Sequence, residues 1–374
     1  MWTTKYFSRI DLRVCLIIAA LNIVSLLIIA SYSAMGEAQG FFTPLVKTQL
    51  QWFLMGWAMF FLFAGFDYST LREWAWVLYA LSIISLIGLF FTEPIQRVHR
   101  WYRLPVISHH IQPSEYAKIT LVIALSWFLE RRASVARNLS TSVWGLLIAL
   151  IPFLLIYKEP DLGTALVLMP ITLVMFYFGD LSPFIVRSLV VCGMVLLVLA
   201  GAFFTGVISH EKARPLFLKV IKEYQYERLN PNTHHKNAAC LAIAVGGISG
   251  VGFKESEYAG QGSLPFPYTD SAFAAFGEEF GMLGLAFLLV LFYGLVYCSF
   301  QVTAVAKDAF GRLLAAGIAV LLSVHICVNI GMMCGLVPIT GVPLLLVSYG
   351  GSSVLSTMMA IGILQSVYSR RFMF

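Results

Sequence analysis

The sequence predicts an all-α polytopic membrane protein of about ten transmembrane helices. Both termini are expected in the cytoplasm, with one long extracytoplasmic loop at about 208–270. Three observations predict this. Of 374 residues, 59% are hydrophobic and only 12% charged, where a soluble domain carries about half and a quarter. Mean hydropathy is +0.83. The apolar stretches are continuous and do not alternate with period two, so a β-barrel is not expected. The composition excludes a disordered, collagenous or disulfide-stapled chain and an ordinary cytosolic enzyme. The net charge of +6 is explained by topology, not by nucleic acid, because the basic residues lie mostly in loops.

The expected spans fall at about 12–32, 48–66, 72–92, 113–130, 142–157, 162–179, 184–207, 271–299, 311–332 and 344–368. The first follows a basic N-terminus. It is too long for a signal-peptide core and lacks a clear cleavage site, so it is read as a retained helix. The fourth opens at Gln112-Pro113-Ser114-Glu115, where proline suits a first helical turn. The fifth and sixth are short and flank Lys158–Thr164, and are expected to be tilted or partly re-entrant. The eighth begins directly after Asp270, and the tenth emerges from a segment rich in glycine and proline. The chain 1–374 is read as one integral membrane domain.

Orientation follows from lysine and arginine. With the N-terminus inside, cytoplasmic segments carry twelve of these residues and the short outer loops five. Long loops translocate largely regardless of charge and count little. Three of the outer arginines, Arg97, Arg100 and Arg103, cluster beside Trp101 and Tyr102. One reading is a solvated loop; the other is a contact to phosphate oxygens, which arginine forks suit.

Ionisable residues inside spans are costly and usually functional. Glu115 and Lys118 are three apart and share a helix face. They either fix helix packing as a buried pair or line a polar cavity. Asp161, after Pro160, either caps the sixth helix or faces the same cavity. Asp270, at a loop-to-helix junction, is either an N-cap or a general base. One of Glu278 and Glu279 is expected to point into the bundle. Broken backbone at membrane depth requires burial or a wet cavity. The fourth span, the 158–164 turn, Asp270 and the 335–353 segment are therefore expected to face one outer chamber.

Other signals are weaker. Gly246–Gly252 lacks the strand and βαβ context of a dinucleotide fingerprint and is expected to form tight turns near the bilayer. His109-His110 and His234-His235 lack a third ligand for a metal. The cysteines, without a CxxC spacing, are read as buried membrane thiols.

QPSEYAK at 112–118, KEPDLGTA at 158–165, TDSAFAAFGEEFG at 269–281 and PITGVPLLLVSYGGSS at 338–353 resemble, in order, the signature blocks of the SEDS family of RodA and FtsW. The resemblance implies a SEDS-type fold and a peptidoglycan glycosyltransferase. Such an enzyme polymerises lipid II, an undecaprenyl-pyrophosphoryl disaccharide-peptide, into glycan strands at the outer face of the bacterial cytoplasmic (inner) membrane. It implies a class B penicillin-binding protein as transpeptidase partner, with other cell-wall elongation or division proteins and no nucleic acid. The family's essential aspartate falls on Asp270. Its Glu and Lys fall on Glu115 and Lys118, its PDLGT aspartate on Asp161, and its Arg-Trp pair on Arg100 and Trp101. Ser348 completes the expected substrate contacts. Thr340-Gly341 resembles RodA members and Gly277-Glu278-Glu279 resembles FtsW members; the RodA-like, cell-shape reading is favoured. Ala238-Ala239 and Ala244-Val245 depart from the family's Gln-Ser and Gly-Ser, and Leu345 stands where proline is usual.

In the expected chemistry Asp270 is the general base that deprotonates the acceptor hydroxyl. Arginines and a divalent cation, Mg or Mn, balance the departing pyrophosphate, and no organic cofactor is expected. The rival readings are a lipid II flippase or other lipid-linked-substrate transporter, which also needs intramembrane charge, and a scaffold for cell-wall machinery.

Overall fold

In the computed structural model, residues 9–33, 40–93, 98–103, 110–204, 214, 226, 233–256, 258 and 262–372 are described. Among them are eleven α-helices and one two-stranded ribbon. The helices are α1 (Leu12–Ser33), α2 (Pro44–Gly65), α3 (Tyr68–Leu89), α4 (Pro113–Arg131), α5 (Leu139–Lys158), α6 (Leu162–Phe178), α7 (Pro183–Phe204), α8 (His234–Gly246), α9 (Ala272–Val305), α10 (Ala309–Met333) and α11 (Gly351–Ser369). Strands β1 (Tyr102–Arg103) and β2 (His110–Ile111) pair antiparallel just before α4. Ten helices match the ten expected spans.

Among the described residues, four helices start at a side-chain cap, among them α2, α3 and α10. Thr43 precedes Pro44 and accepts the Val46 amide. Asp67 accepts the Ser69 amide and Asp308 the Gly311 amide, satisfying first-turn donors that lipid cannot. Pro152 and Pro170 lie inside α5 and α6, a placement that neighbouring helices make tolerable in a bilayer.

One hydrophobic cluster runs from Val14 on α1 to Val367 on α11. The opposite faces are apolar and exposed. On α9 they present Leu283, Phe287, Val290, Tyr293 and Tyr297; on α7, Val190, Val191 and Met194 to Leu199. Such bands are lipid-facing surface, not core. Among the described residues, five helices are long and apolar enough by themselves to cross a membrane, and α6 is a shorter apolar helix of 17 residues. At the ends assigned to the cytoplasm, Arg72 ties α3 to Asp308 (2.5 Å) and to Glu130 of α4 (2.8 Å). Buried Arg370 donates to the Ala64, Gly65 and Ser366 carbonyls, closing the C-terminal turn of α2.

The structure corrects five expectations. The long loop holds a helix, α8, whose short length and mixed polarity hid it from a search for spans. The tenth helix begins at Gly351, and 344–350 is irregular. Helix α5 is not short: its 20 residues are long and apolar enough to cross a membrane. The eighth span runs to Val305 and breaks at Gly281 (φ 62°, ψ −163°). Only Cys298 is a buried thiol; Cys192, Cys327 and Cys334 are exposed and Cys15 and Cys240 half-buried, because a thiol is as content against lipid as in a core.

Candidate active site

Four helix N-termini meet at the outer end of the bundle, and the local sequence explains how. Gln112, just before α4, donates its amide to Ser352 Oγ on the first turn of α11 (3.1 Å). Its side-chain nitrogen reaches Asp161 Oδ2 at the start of α6 (3.0 Å). Gly163 packs so closely on the 338–350 segment that a Cβ there would lie 2.8 Å from the Thr340 carbonyl oxygen. That segment joins the turn before α9: Tyr349 donates its amide to the Tyr268 carbonyl (2.7 Å) and Ser348 its hydroxyl to the Thr269 carbonyl (2.5 Å). The N-termini of α4, α6, α9 and α11 thus converge, each carrying partial positive charge.

Asp270 is half-buried at the start of α9. Its carbonyl oxygen accepts from Asn329 Nδ2 of α10 (3.0 Å), which also donates to the Val342 carbonyl (2.8 Å). Its carboxylate lies against Gly341, where a Cβ would stand 3.4 Å from Oδ2 at a backbone φ of 78°. Next to it, Ser271 Oγ bonds His235 Nε2 of α8 (2.7 Å) and the Pro265 carbonyl (2.8 Å). Burial lowers the His235 pKa below the usual histidine value, so it holds Ser271 as a neutral ring. His234-His235 therefore serves the turn, and no group of three or more metal-ligating side chains occurs among the described residues. The divalent cation expected with the substrate finds no ready-made cage among the described residues, and no step below runs through it.

Beneath this turn lies a buried ionic cluster. Lys118 Nζ is 2.7 Å from Glu115 Oε1 and 2.8 Å from His325 Nε2 of α10. Ser356 of α11 donates to Glu115 Oε2 (3.1 Å). All four residues are at most 3% exposed. Asp161 has the capping role: it holds α6 through the Thr164 amide (3.3 Å) and hydroxyl (2.9 Å), and it also contacts the Gln112 side chain. Neighbouring Glu159 is buried, and desolvation pushes its pKa up to about 8, with the Asp161 charge adding to the rise. Arg100 donates to the Glu159 carbonyl (3.2 Å) and to the Pro160 carbonyl, capping the end of α5. Trp101 is half-buried beside it and Arg103 exposed, while Arg97 and His109 lie outside the described residues. Ser348 is committed in both directions, since it also accepts the Leu344 amide (2.8 Å).

The glycine run closes the site from the loop side. At the Gly281 break, helical bonds are lost and Gly247–Gly252 replaces them. Val251 and Gly252 donate to the Glu278 and Glu279 carbonyls, while Met282 and Leu283 donate to the Gly247 and Ile248 carbonyls. Both glutamates point inward, not one. Glu278 accepts the Tyr258 amide (2.8 Å), and Glu279 accepts the Ser31 hydroxyl and the Lys254 amide.

An apolar groove of about 840 Å³ runs between α2, α3, α4 and α11, lined by Phe63, Trp74, Leu78, Ile119 and Ile363. At its outer end stand Tyr102, Ile111 and Pro113, immediately before the Gln112–Asp161 contact.

Residues 11–371 match the family FTSW_RODA_SPOVE, described as cell cycle protein. The chain belongs to this family. The match covers nearly all of it, and the four sequence blocks quoted above are the ones that carry the converging N-termini of α4, α6, α9 and α11. It is 30% identical to peptidoglycan glycosyltransferase MrdB of Escherichia coli K12 over 374 residues, covering 97% of this chain and 94% of that protein. It is 31% identical over 373 residues to a probable peptidoglycan glycosyltransferase FtsW of Trichlorobacter lovleyi, covering 96% and 93%. A chain from a solved peptidoglycan synthase complex of coordinated polymerization and crosslinking superposes with a TM-score of 0.76 at 25% identity, covering 98% of this chain and 99% of that one. The Thermus thermophilus rod shape determining protein RodA shares the fold, with a TM-score of 0.70.

Sequence reasoning missed three residues of this family member's site: His325, Asn329 and His235. His325 and Asn329 stand four apart in the ninth span, so an intramembrane polar pair on one helix face was the available signal. For His235 no sequence signal separates a turn partner from a loop histidine.

Proposed function

We propose that this chain is a peptidoglycan glycosyltransferase that polymerises lipid II by β-1,4 transfer at the outer face of the bacterial inner membrane. The observation that carries the reading is proximity: the apolar groove ends at Tyr102, Ile111 and Pro113, on either side of Gln112, whose side chain reaches Asp161 among the four converging helix N-termini. The groove suits a polyprenyl tail, and converging N-termini suit a pyrophosphate. Arg100 and Trp101 stand at the rim on the α5–α6 turn.

In the proposed step, Asp270 takes the proton of the acceptor sugar's 4-hydroxyl. That oxygen attacks the donor's anomeric carbon as its bond to the pyrophosphate oxygen breaks. Undecaprenyl pyrophosphate leaves with the bonding pair, and the α-linked donor becomes β-linked by inversion. One carboxylate suffices because the leaving group needs no general acid, unlike the paired carboxylates of glycosidases. Helix dipoles and Arg100 stabilise the departing charge. The buried Glu115–Lys118 pair and Asp161 hold the chamber's shape. A class B penicillin-binding protein would crosslink the product, and Thr340-Gly341 supports the elongation role. A divalent cation would arrive with the substrate pyrophosphate.

The test is lipid II polymerisation by purified protein, with and without a class B penicillin-binding protein. Wild type makes glycan, and Asp270→Asn folds with unchanged Tm yet makes none. Full polymerisation by Asp270→Asn removes Asp270 from the chemistry. Movement of labelled lipid II across vesicles by wild type, with no glycan formed, would establish transport instead.

A further inference from the structure

The buried ionic cluster under Asp270 contains one group that the proposed chemistry does not use, and it ends in two atoms of matching sense. His325 Nε2 faces the Lys118 ammonium at 2.8 Å. An ammonium has only protons to offer, so this ring nitrogen must accept and carries no hydrogen. A neutral imidazole then holds its proton on Nδ1. That Nδ1 has no hydrogen-bond partner, although His325 is only 1% exposed. One helical turn further on, Asn329 has no exposed surface. Its amide nitrogen holds the Asp270 and Val342 carbonyls, and its Oδ1 has no partner. A buried donor and a buried acceptor, four residues apart, lie on the same face of α10.

We infer that His325 is a positioning residue of the polymerase site. Its Nε2 fixes Lys118, and its Nδ1–H reaches Asn329 Oδ1 through one bound water, joining the Glu115–Lys118 pair to the Asp270 turn. The water has the two polar partners that a buried site requires. The chain is then continuous: Ser356 to Glu115, Lys118, His325, water, Asn329 and the Asp270 carbonyl. Every link has its donor and acceptor in the right order. The physical role follows from what Asn329 holds. Its amide pins the backbone on either side of the chamber, at Asp270 and at Val342 beside Gly341. Fixing the amide plane fixes where the Asp270 carboxylate stands relative to the acceptor hydroxyl, and a misplacement of about 1 Å can cost about a hundredfold in rate. His325 touches neither substrate nor reacting atoms. This inference rests on the glycosyltransferase reading for its kinetic consequence, but its geometry stands without it.

The test uses the full-length protein and two variants. His325→Gln keeps an acceptor for Lys118 and a donor toward Asn329; His325→Phe keeps the volume and loses both. With lipid II, His325→Phe is expected to lower kcat about tenfold or more with little change in KM, because it moves the base and leaves substrate binding alone. His325→Gln is expected to restore most of that loss. Nitrogen-15 NMR of histidine-labelled wild type, assigned by difference against His325→Gln, should show a His325 ring protonated at Nδ1 and bare at Nε2. A His325→Phe enzyme with wild-type kcat overturns the inference. So does a His325→Gln enzyme that falls as far as His325→Phe in step with a lowered Tm, which marks a purely structural role. A ring protonated at Nε2 overturns it as well. The spectrum decides the ring's role even where wild type makes no glycan, an outcome that would count against the glycosyltransferase reading alone.

Discussion

At the residue scale, the chemistry of this chain depends on charges that a membrane protein keeps only under constraint. Glu115 and Lys118 are buried together, and a buried pair is weak evidence for stability but strong evidence against losing one partner. Lys118→Met should cost about 3–5 kcal/mol by stranding the carboxylate. The double variant Glu115→Leu with Lys118→Met should recover much of that loss. Thermal unfolding in detergent measures both, and a double variant as unstable as the single one would contradict the pairing. Glu159 makes a second prediction. Its folded pKa, about 8, lies above the ordinary carboxyl value, so the folded protein binds this proton more tightly than the unfolded chain does. The stability it contributes is full below the unfolded value and is lost as pH rises through about 8. Comparing Tm across that window should show a fall in wild type that Glu159→Gln flattens. A Glu159→Gln protein with the same slope would assign the slope to another group.

At the element scale, the decisive feature is the break in α9. Gly281 adopts a φ of 62° and ψ of −163°, a region essentially confined to glycine. A Cβ on Gly250 would collide with the Glu279 carbonyl group. Gly281→Ala and Gly250→Ala are each expected to destabilise by about 1–3 kcal/mol. Gly193→Ala, in α7 with nothing near its Cβ position, should be neutral or slightly stabilising, by up to about 1 kcal/mol. Equal Tm values for all three variants would show that the break is not held by these contacts. The break also marks where sequence reading stopped. Spans were legible because apolar runs of bilayer length have one physical solution. A run of 34 residues reads as one long helix whether or not it is broken inside, since the glycine that breaks it looks like any other membrane glycine. Helix α8 was hidden for the converse reason: His234, His235, Lys236 and Asn237 open it, and its burial comes from the turn it covers.

At the scale of the whole molecule, the apolar groove between α2, α3, α4 and α11 ends at Tyr102, Ile111 and Pro113, next to the converging helix N-termini. Enlarging a side chain inside the groove, as in Ser85→Phe, should raise KM for lipid II and leave kcat near wild type, because it removes binding common to ground and transition states. Steady-state kinetics over a range of lipid II concentrations measures this, and a fall in kcat alone would separate the groove from substrate binding. Relatives bearing MrdB and FtsW names match this chain to nearly the same degree.

The sequence by itself determined the membrane class, the ten spans and the four blocks whose helix N-termini converge. Each of these follows from local quantities: run length, charge placement and motif spacing. Only the tertiary structure decided that Gln112 bridges Asp161 and Ser352, that both Glu278 and Glu279 turn inward, that Lys118 meets His325, and that Asn329 meets the Asp270 carbonyl. Those partners lie 20 to 240 residues apart along the chain. Hydrophobic periodicity says which residues are inside, but which buried polar atom meets which is settled only when helices from distant segments pack and every donor must find an acceptor.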